Sequence, residues 1–216
     1  MTFPPDLVIF DCDGVLVDSE VLSVAIMRDN LARHGLDLSR AQADELFVGG
    51  TMMGIMEMAQ NMGADLPDDW VELIYQDIYA ELAAKVEPVD GIVDVLDALD
   101  AAGIACAVGS NGRHEKMEIT LTRTGLKRRL AGRIYSRQDV ARPKPAPDLY
   151  LHAAAQAGVP VSRAVVIEDS PTGAQAARAA GMLCFGYTAA TDPARMTPLC
   201  DAVFDRMAVL PGLLGL

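Results

Sequence analysis

LVIFDCDGVLVDS, residues 7–19, is an apolar run of four that stops on two aspartates two residues apart. A short β-rich run bounded by a turn residue predicts a buried strand over 7–10. Asp11 and Asp13 then stand at its carboxyl end, with Gly14 behind them to let the backbone turn tightly. Paired like charges in a partly desolvated place repel, which is costly unless a cation neutralises them. The pair therefore implies a divalent metal; a plain turn cap before a helix is the structural alternative.

Outward from this stretch the same punctuation repeats. Apolar runs at 104–109 (IACAVG), 133–136 (RIYS), 164–167 (AVVI) and 183–186 (LCFG) alternate with helical spacing at 91–102, 114–124, 147–157 and 172–180. Strands alternating with amphipathic helices require crossover connections, so the chain is expected to be α/β, a doubly wound, Rossmann-like parallel sheet with helices on both faces. Ligands in that architecture bind beyond the carboxyl ends of the strands. Residues 19–85 break the pattern, with no convincing strand and helical spacing at 21–33, 40–47, 52–62 and 68–85, most of these ended by glycine. The expected division is an α/β core on 1–18 and 87–216 with a helical insertion on 19–86. Five methionines between Met52 and Met62 read as one buried helix face, an adaptable apolar surface being the alternative.

Thirty acidic against eighteen basic residues give a net charge of −12, which repels phosphate backbones and anionic lipid, so neither nucleic acid nor membrane is an expected partner. No apolar stretch reaches the ~18 residues that span a bilayer, and no secretory signal is visible; cytoplasm is the default location. Cys12, Cys106, Cys184 and Cys200 form no CxxC pair and no metal-spaced cluster; neither a disulfide framework nor a zinc site is suggested, and Cys12 reads as a small buried filler, reversible redox control being the alternative. His34 and His152 read as ordinary helix residues, and His114 lies close to a candidate anion loop without its spacing demanding a role.

The other strand ends carry the remaining chemistry. Ser110-Asn111-Gly112 precedes a helix start and reads two ways, as an anion site or as a turn and N-cap. Lys144 stands between Pro143 and Pro145, which fix its backbone so that it presents one ammonium group rigidly. Glu168-Asp169 is a second acidic pair at a strand's carboxyl end. Acids from two strand ends form an oxygen ligand set of the hard type that Mg²⁺ prefers.

In order, DCDGVLVDS, SNG, KPAPD and EDS resemble the four motifs of the haloacid dehalogenase superfamily of phosphotransferases, and the resemblance covers nearly the whole chain. The helical insertion is similar to the cap of the subgroup that includes beta-phosphoglucomutase and small sugar-phosphate phosphatases. The resemblance implies Asp11 as nucleophile, forming an aspartyl phosphate, and Asp13 as general acid/base. It implies Mg²⁺ held by Asp11, the backbone carbonyl of Asp13 and Asp169, with Glu168 a ligand or a partner behind the ligands. Ser110, Asn111 and Lys144 would hold the phosphoryl oxygens. Asp13 points to phosphate chemistry, because an alkoxide leaving group needs an acid. Phosphatase and phosphomutase both remain; the former is preferred because a mutase must add a reorientation step. FDCDGVLVDSE, SNGRHEKM and KPAPDLYLHAA look most like phosphatases of sugar or sugar-acid phosphates, including the 6-phosphogluconate type. Substrate choice is expected from the insertion, at Glu20 and within 48–53, notably Thr51, and from Arg113, which could reach a second anionic group or be an exposed helix-start arginine. The expected partner is a small phosphorylated metabolite and the expected state a monomer. A receiver-like signalling domain or a silent binding protein are the alternatives of another class.

Overall fold

The computed structural model describes residues 4–47 and 51–216. In chain order its elements are β1 (Leu7–Phe10), α1 (Glu20–Arg33), α2 (Arg40–Phe47), α3 (Met52–Asn61), α4 (Trp70–Lys85), α5 (Ile92–Ala101), β2 (Ala105–Ser110), α6 (His114–Arg123), α7 (Lys127–Leu130), β3 (Ile134–Ser136), α8 (Asp148–Ala157), β4 (Ala164–Glu168), α9 (Pro171–Ala179), β5 (Leu183–Tyr187), α10 (Pro193–Met196), β6 (Ala202–Phe204) and α11 (Leu210–Leu213). The chain divides into two compact units, one up to Asp18 together with Glu87–Leu216, the other Ser19–Val86.

The first unit holds a parallel sheet in the order β3-β2-β1-β4-β5-β6. The doubly wound parallel sheet expected above is therefore present. β1 is central and fully buried, which is why its sequence is continuously apolar instead of alternating. Strand order reverses between β1 and β4, so the ends of these two strands border the crevice where such sheets bind ligands. β1 is in register with both neighbours, Phe10 lying beside Val108 and Ile167. That register brings Asp11 level with the end of β4, and its amide donates to the Ile167 carbonyl at 2.9 Å. The chain leaves and re-enters this unit through adjacent backbone, Asp18 N–H donating to Glu87 O and Val89 N–H to Leu16 O, each at 3.0 Å.

The second unit is all helical among its described residues, around Met27, Leu31, Ile55, Trp70, Ile74, Ile78 and Leu82. Trp70 Nε1 donates to the buried Asn30 Oδ1 at 2.7 Å, which satisfies both polar groups inside that core. The methionine expectation is corrected here. Only Met56 is buried; Met53, Met58 and Met62 are exposed and Met52 is intermediate. Ile55 and Ala59, at i and i+4, fill the buried face beside Met56; Met52 opens that same face, half-buried, while Met53 and Met58 fall to its sides. Among the described residues no helix is long and apolar enough to cross a membrane.

Candidate active site

After β1 the chain folds back on itself within a few residues. Gly14 N–H donates to Val17 O at 2.9 Å, and Leu16 and Val17 N–H both donate to Cys12 O. Gly14 has φ of +75°, which an L side chain adopts only under strain. A Cβ there would also lie 2.0 Å from Asp169 Oδ2, so the glycine leaves the space that the Asp169 carboxylate occupies. Thus Asp11 and Asp13 from β1 and Asp169 from beyond β4 converge on one turn.

Lys144 stands at the centre of the buried charges. Its Nζ lies 2.5 Å from Asp11 Oδ1 and 2.6 Å from Glu168 Oε1. The Asn111 side chain fixes the lysine's backbone from both sides, Lys144 N–H donating to Oδ1 at 3.0 Å and Nδ2 donating to Lys144 O at 3.1 Å. Lys144 Nζ also sits 4.7 Å from the centre of the Tyr150 ring, a cation–π contact. Burial works against the ammonium, but Asp11 and Glu168 outweigh it and raise the pKa above the usual lysine value.

Two carboxylates share this one ammonium unequally. Glu168 is fully buried and accepts four hydrogen bonds: Lys144 Nζ and Tyr150 Oη on Oε1, and the Ser170 N–H and Oγ on Oε2. Burial opposes its charge, yet Lys144 and Ser170 hold its pKa below the usual glutamate value. Asp11 has no such set of donors; burial, reinforced by the Glu168 and Asp13 charges and only partly offset by Lys144, pushes it up to about 7. Of the two places left open for Glu168, ligand or partner behind the ligands, its occupied oxygens favour the second.

Ser110 is buried at the end of β2, and its Oγ accepts from Gly112 N–H at 3.0 Å. Gly112 in turn borders Asp13, since a Cβ on it would lie 3.5 Å from Asp13 Oδ2. The Ser-Asn-Gly turn therefore lies against the acidic turn. Asp13 forms an ion pair with Lys116 at 2.7 Å, both side chains being about one-fifth exposed. Lys116 was not singled out in the sequence, since only the phase of α6 against the turn after β1 brings it to Asp13. Tyr150 and Ser170 were missed for another reason: their hydroxyls act on Glu168 and look in sequence like any residues of a helix start.

Three further candidates concern substrate choice. Arg113 is exposed at the N-cap of α6. Glu20 opens α1 and is exposed; Thr51 caps α3, its Oγ1 accepting from Gly54 N–H at 3.1 Å. Both belong to the helical unit, and positions 48–50 of the expected substrate segment lie outside the described residues. His114 pairs with Asp139 at 2.9 Å, His34 Nδ1 bonds Asp65 O at 2.8 Å, and His152 stacks edge-on against Tyr135.

The oxygens fit a hard divalent cation. Asp11 and Asp169 are largely buried carboxylates at neighbouring strand ends, and Gly14 leaves room for the second. Among the described residues no group of three or more acidic, imidazole or thiol side chains forms a ready cage. Mg²⁺ commonly uses one or two carboxylates and completes its shell with water and substrate phosphate, so such a sparse donor set suits it better than Ca²⁺ or Zn²⁺.

The family model of haloacid dehalogenase-like hydrolases matches residues 8–187. The chain is 31% identical over 186 residues to 6-phosphogluconate phosphatase of Escherichia coli (strain K12), covering 85% of this chain and 83% of that protein. It is 32% identical over 179 residues to N-acetylmuramic acid 6-phosphate phosphatase of Pseudomonas aeruginosa, covering 81% and 77% respectively. Among solved structures, a HAD family hydrolase from Deinococcus radiodurans R1 with bound phosphate and sodium superposes with a TM-score of 0.86 at 33% identity, over 99% of this chain and 98% of that one.

Proposed function

The chain belongs to the haloacid dehalogenase-like hydrolases, and from that premise we propose that it is a Mg²⁺-dependent phosphoric monoester hydrolase. Its substrate would be a small phosphorylated sugar or sugar acid, cleaved through an aspartyl phosphate on Asp11. The observation that carries the reading is the buried Asp11–Lys144–Glu168 arrangement at the strand-order reversal, with Asp13 two residues on. The phosphatase names of the relatives support the substrate class.

Asp11 attacks phosphorus in line while the ester oxygen leaves, giving an acyl phosphate on its carboxylate. Lys144, held in place by Asn111, lies beside the attacking carboxylate and lends positive charge to the equatorial phosphoryl oxygens. Glu168 keeps that ammonium charged and aimed without competing for the phosphoryl group, because its oxygens are already taken. Asp13 protonates the departing alkoxide and then removes a proton from the water that hydrolyses the acyl phosphate. Lys116 fixes the direction of the Asp13 carboxylate. Asp11, the Asp13 carbonyl and Asp169 would hold Mg²⁺, which when bound lets an anionic nucleophile approach an anionic phosphoryl group. The helical unit would act as the cap that selects the leaving group, through residues including Glu20 and Thr51.

The test is inorganic phosphate release from a panel of phosphorylated sugars, sugar acids, polyols and nucleotides, each with Mg²⁺ and with excess chelator. Metal-dependent turnover confined to sugar or sugar-acid phosphates is the expected result. Isomerised sugar phosphate without free phosphate would make the enzyme a mutase instead, and metal-independent release would refute the mechanism.

A further inference from the structure

Cys184 on β5 and Cys200 beyond α10 bring their sulfurs within 3.8 Å of each other. Cys184 is 1% exposed, whereas Cys200 is only partly buried. The backbone between them is pinned at one point, where Asp201 N–H donates to Cys184 O at 2.8 Å and Cys184 N–H donates to the Asp201 carboxylate at 2.9 Å. These bonds hold residue 200 beside residue 184 whatever the side chains do. Cys200 Sγ lies over the backbone of Gly186, where a Cβ would come within 2.9 Å of it. Gly186 is the register partner of Glu168, so the sulfur pair sits one strand from the Lys144 cluster.

We propose that Cys184 and Cys200 are an oxidation site that closes to an intramolecular disulfide on exposure to a peroxide. A disulfide bond is about 2.05 Å long, so the sulfurs must approach by about 1.8 Å. Rotation of the partly buried Cys200 side chain supplies that movement while the backbone stays bonded, Cys200 N–H to Met196 O at 3.1 Å and β5 on both edges. The first step falls to Cys200, the more exposed thiol. The sulfur–sulfur contact, in which either thiol can donate, draws the Cys200 pKa below the usual thiol value against burial and the Glu168 and Asp201 charges, while that of Cys184 is raised. The Cys200 thiolate attacks one peroxide oxygen, the O–O bond breaks, and the departing hydroxide takes a proton to become water, leaving a sulfenic acid. Cys184 then attacks that sulfur, the S–O bond breaks, and the hydroxyl leaves as a second water with the Cys184 proton. Two thiols are oxidised by two electrons in all, and one peroxide is reduced to two waters. Cys12 and Cys106 are fully or almost fully buried, and burial raises both thiols, so they should remain reduced.

Arg195 lies between the two cysteines, so trypsin places them on separate peptides, 179–195 and 196–206. Native protein is treated with hydrogen peroxide, alkylated, digested and analysed by mass spectrometry. The expected product is the two peptides joined with the loss of two hydrogens, separating again on reduction, while the other two cysteines stay alkylatable. In Cys200→Ser the cross-link is lost, and in Cys184→Ser a sulfenic acid trappable by a dimedone-type probe collects on Cys200. Wild-type protein in which both thiols remain alkylatable, or in which Cys200 passes to sulfinic acid with no joined peptide, would overturn the proposal.

Discussion

Asp11 is a buried carboxylate that shares its one ammonium partner with Glu168, and its stability effect can be read with sign. Its native pKa of about 7 lies above the ordinary 3.8, so between these values the folded protein keeps a proton that the unfolded chain releases. Stability of the metal-free protein should therefore fall as pH rises through this window, with the full cost present above it. Glu168, whose pKa is lowered, acts oppositely: its contribution is intact above the unfolded glutamate pKa and is lost as pH falls through its native value. It follows that Asp11→Asn, in chelator at pH 8, melts higher than wild type while losing turnover, by ~2–4 °C for each kcal/mol relieved. The gap should close below about pH 4. Calorimetry across that range checks it, and a variant that melts lower at pH 8 would show Asp11 to be stabilising instead. The same comparison with Mg²⁺ added should raise wild type more than the variant, since a ligand held only by the folded state stabilises it.

At the scale of elements, α9 shows how a helix start serves the site. Ser170 caps it, its Oγ accepting from Gly173 N–H at 3.1 Å while donating to Glu168. A Cβ on Gly173 would lie 1.6 Å from Glu168 Oε1. Alanine ordinarily gains roughly 1 kcal/mol over glycine inside a helix. Here displacement of a buried, four-times bonded carboxylate outweighs that, so Gly173→Ala should lower both melting temperature and kcat. A more stable, fully active variant would show that Glu168 can move freely. The strand ends were legible in sequence because each is a short apolar run stopped by a polar turn, and β1 spans the residues expected of it, 7–10. β6 was not, since Ala202–Phe204 is a three-residue edge strand between two aspartates, too short for any period. The one-turn helices α7, α10 and α11 escaped for the same reason. Convergence of the acids was foreseeable from strand-end position alone, but the Lys116–Asp13 pair needed the phase of α6 against the turn after β1.

For the whole molecule, the two crossings between units lie side by side, Asp18 bonded to Glu87 and Leu16 to Val89. Excising 19–86 and joining the ends with a short glycine-serine link should therefore leave a core that melts cooperatively; a molten product would show that the core depends on the helical unit. Lys144 and Asp11 lie 133 residues apart in the chain and meet only when β1 is seated at the sheet centre. The proposed chemistry is thus a property of the assembled sheet, and its decisive step is covalent transfer to Asp11. The most direct test is to mix Asp13→Asn protein, slowed in hydrolysis, with Mg²⁺ and the best substrate of the panel, then to quench in acid and map the peptides. One added phosphoryl group is expected, on the peptide bearing Asp11, absent when Asp11 is also replaced by Asn. Full turnover by Asp11→Asn protein, or phosphoryl label on any other residue, would contradict it.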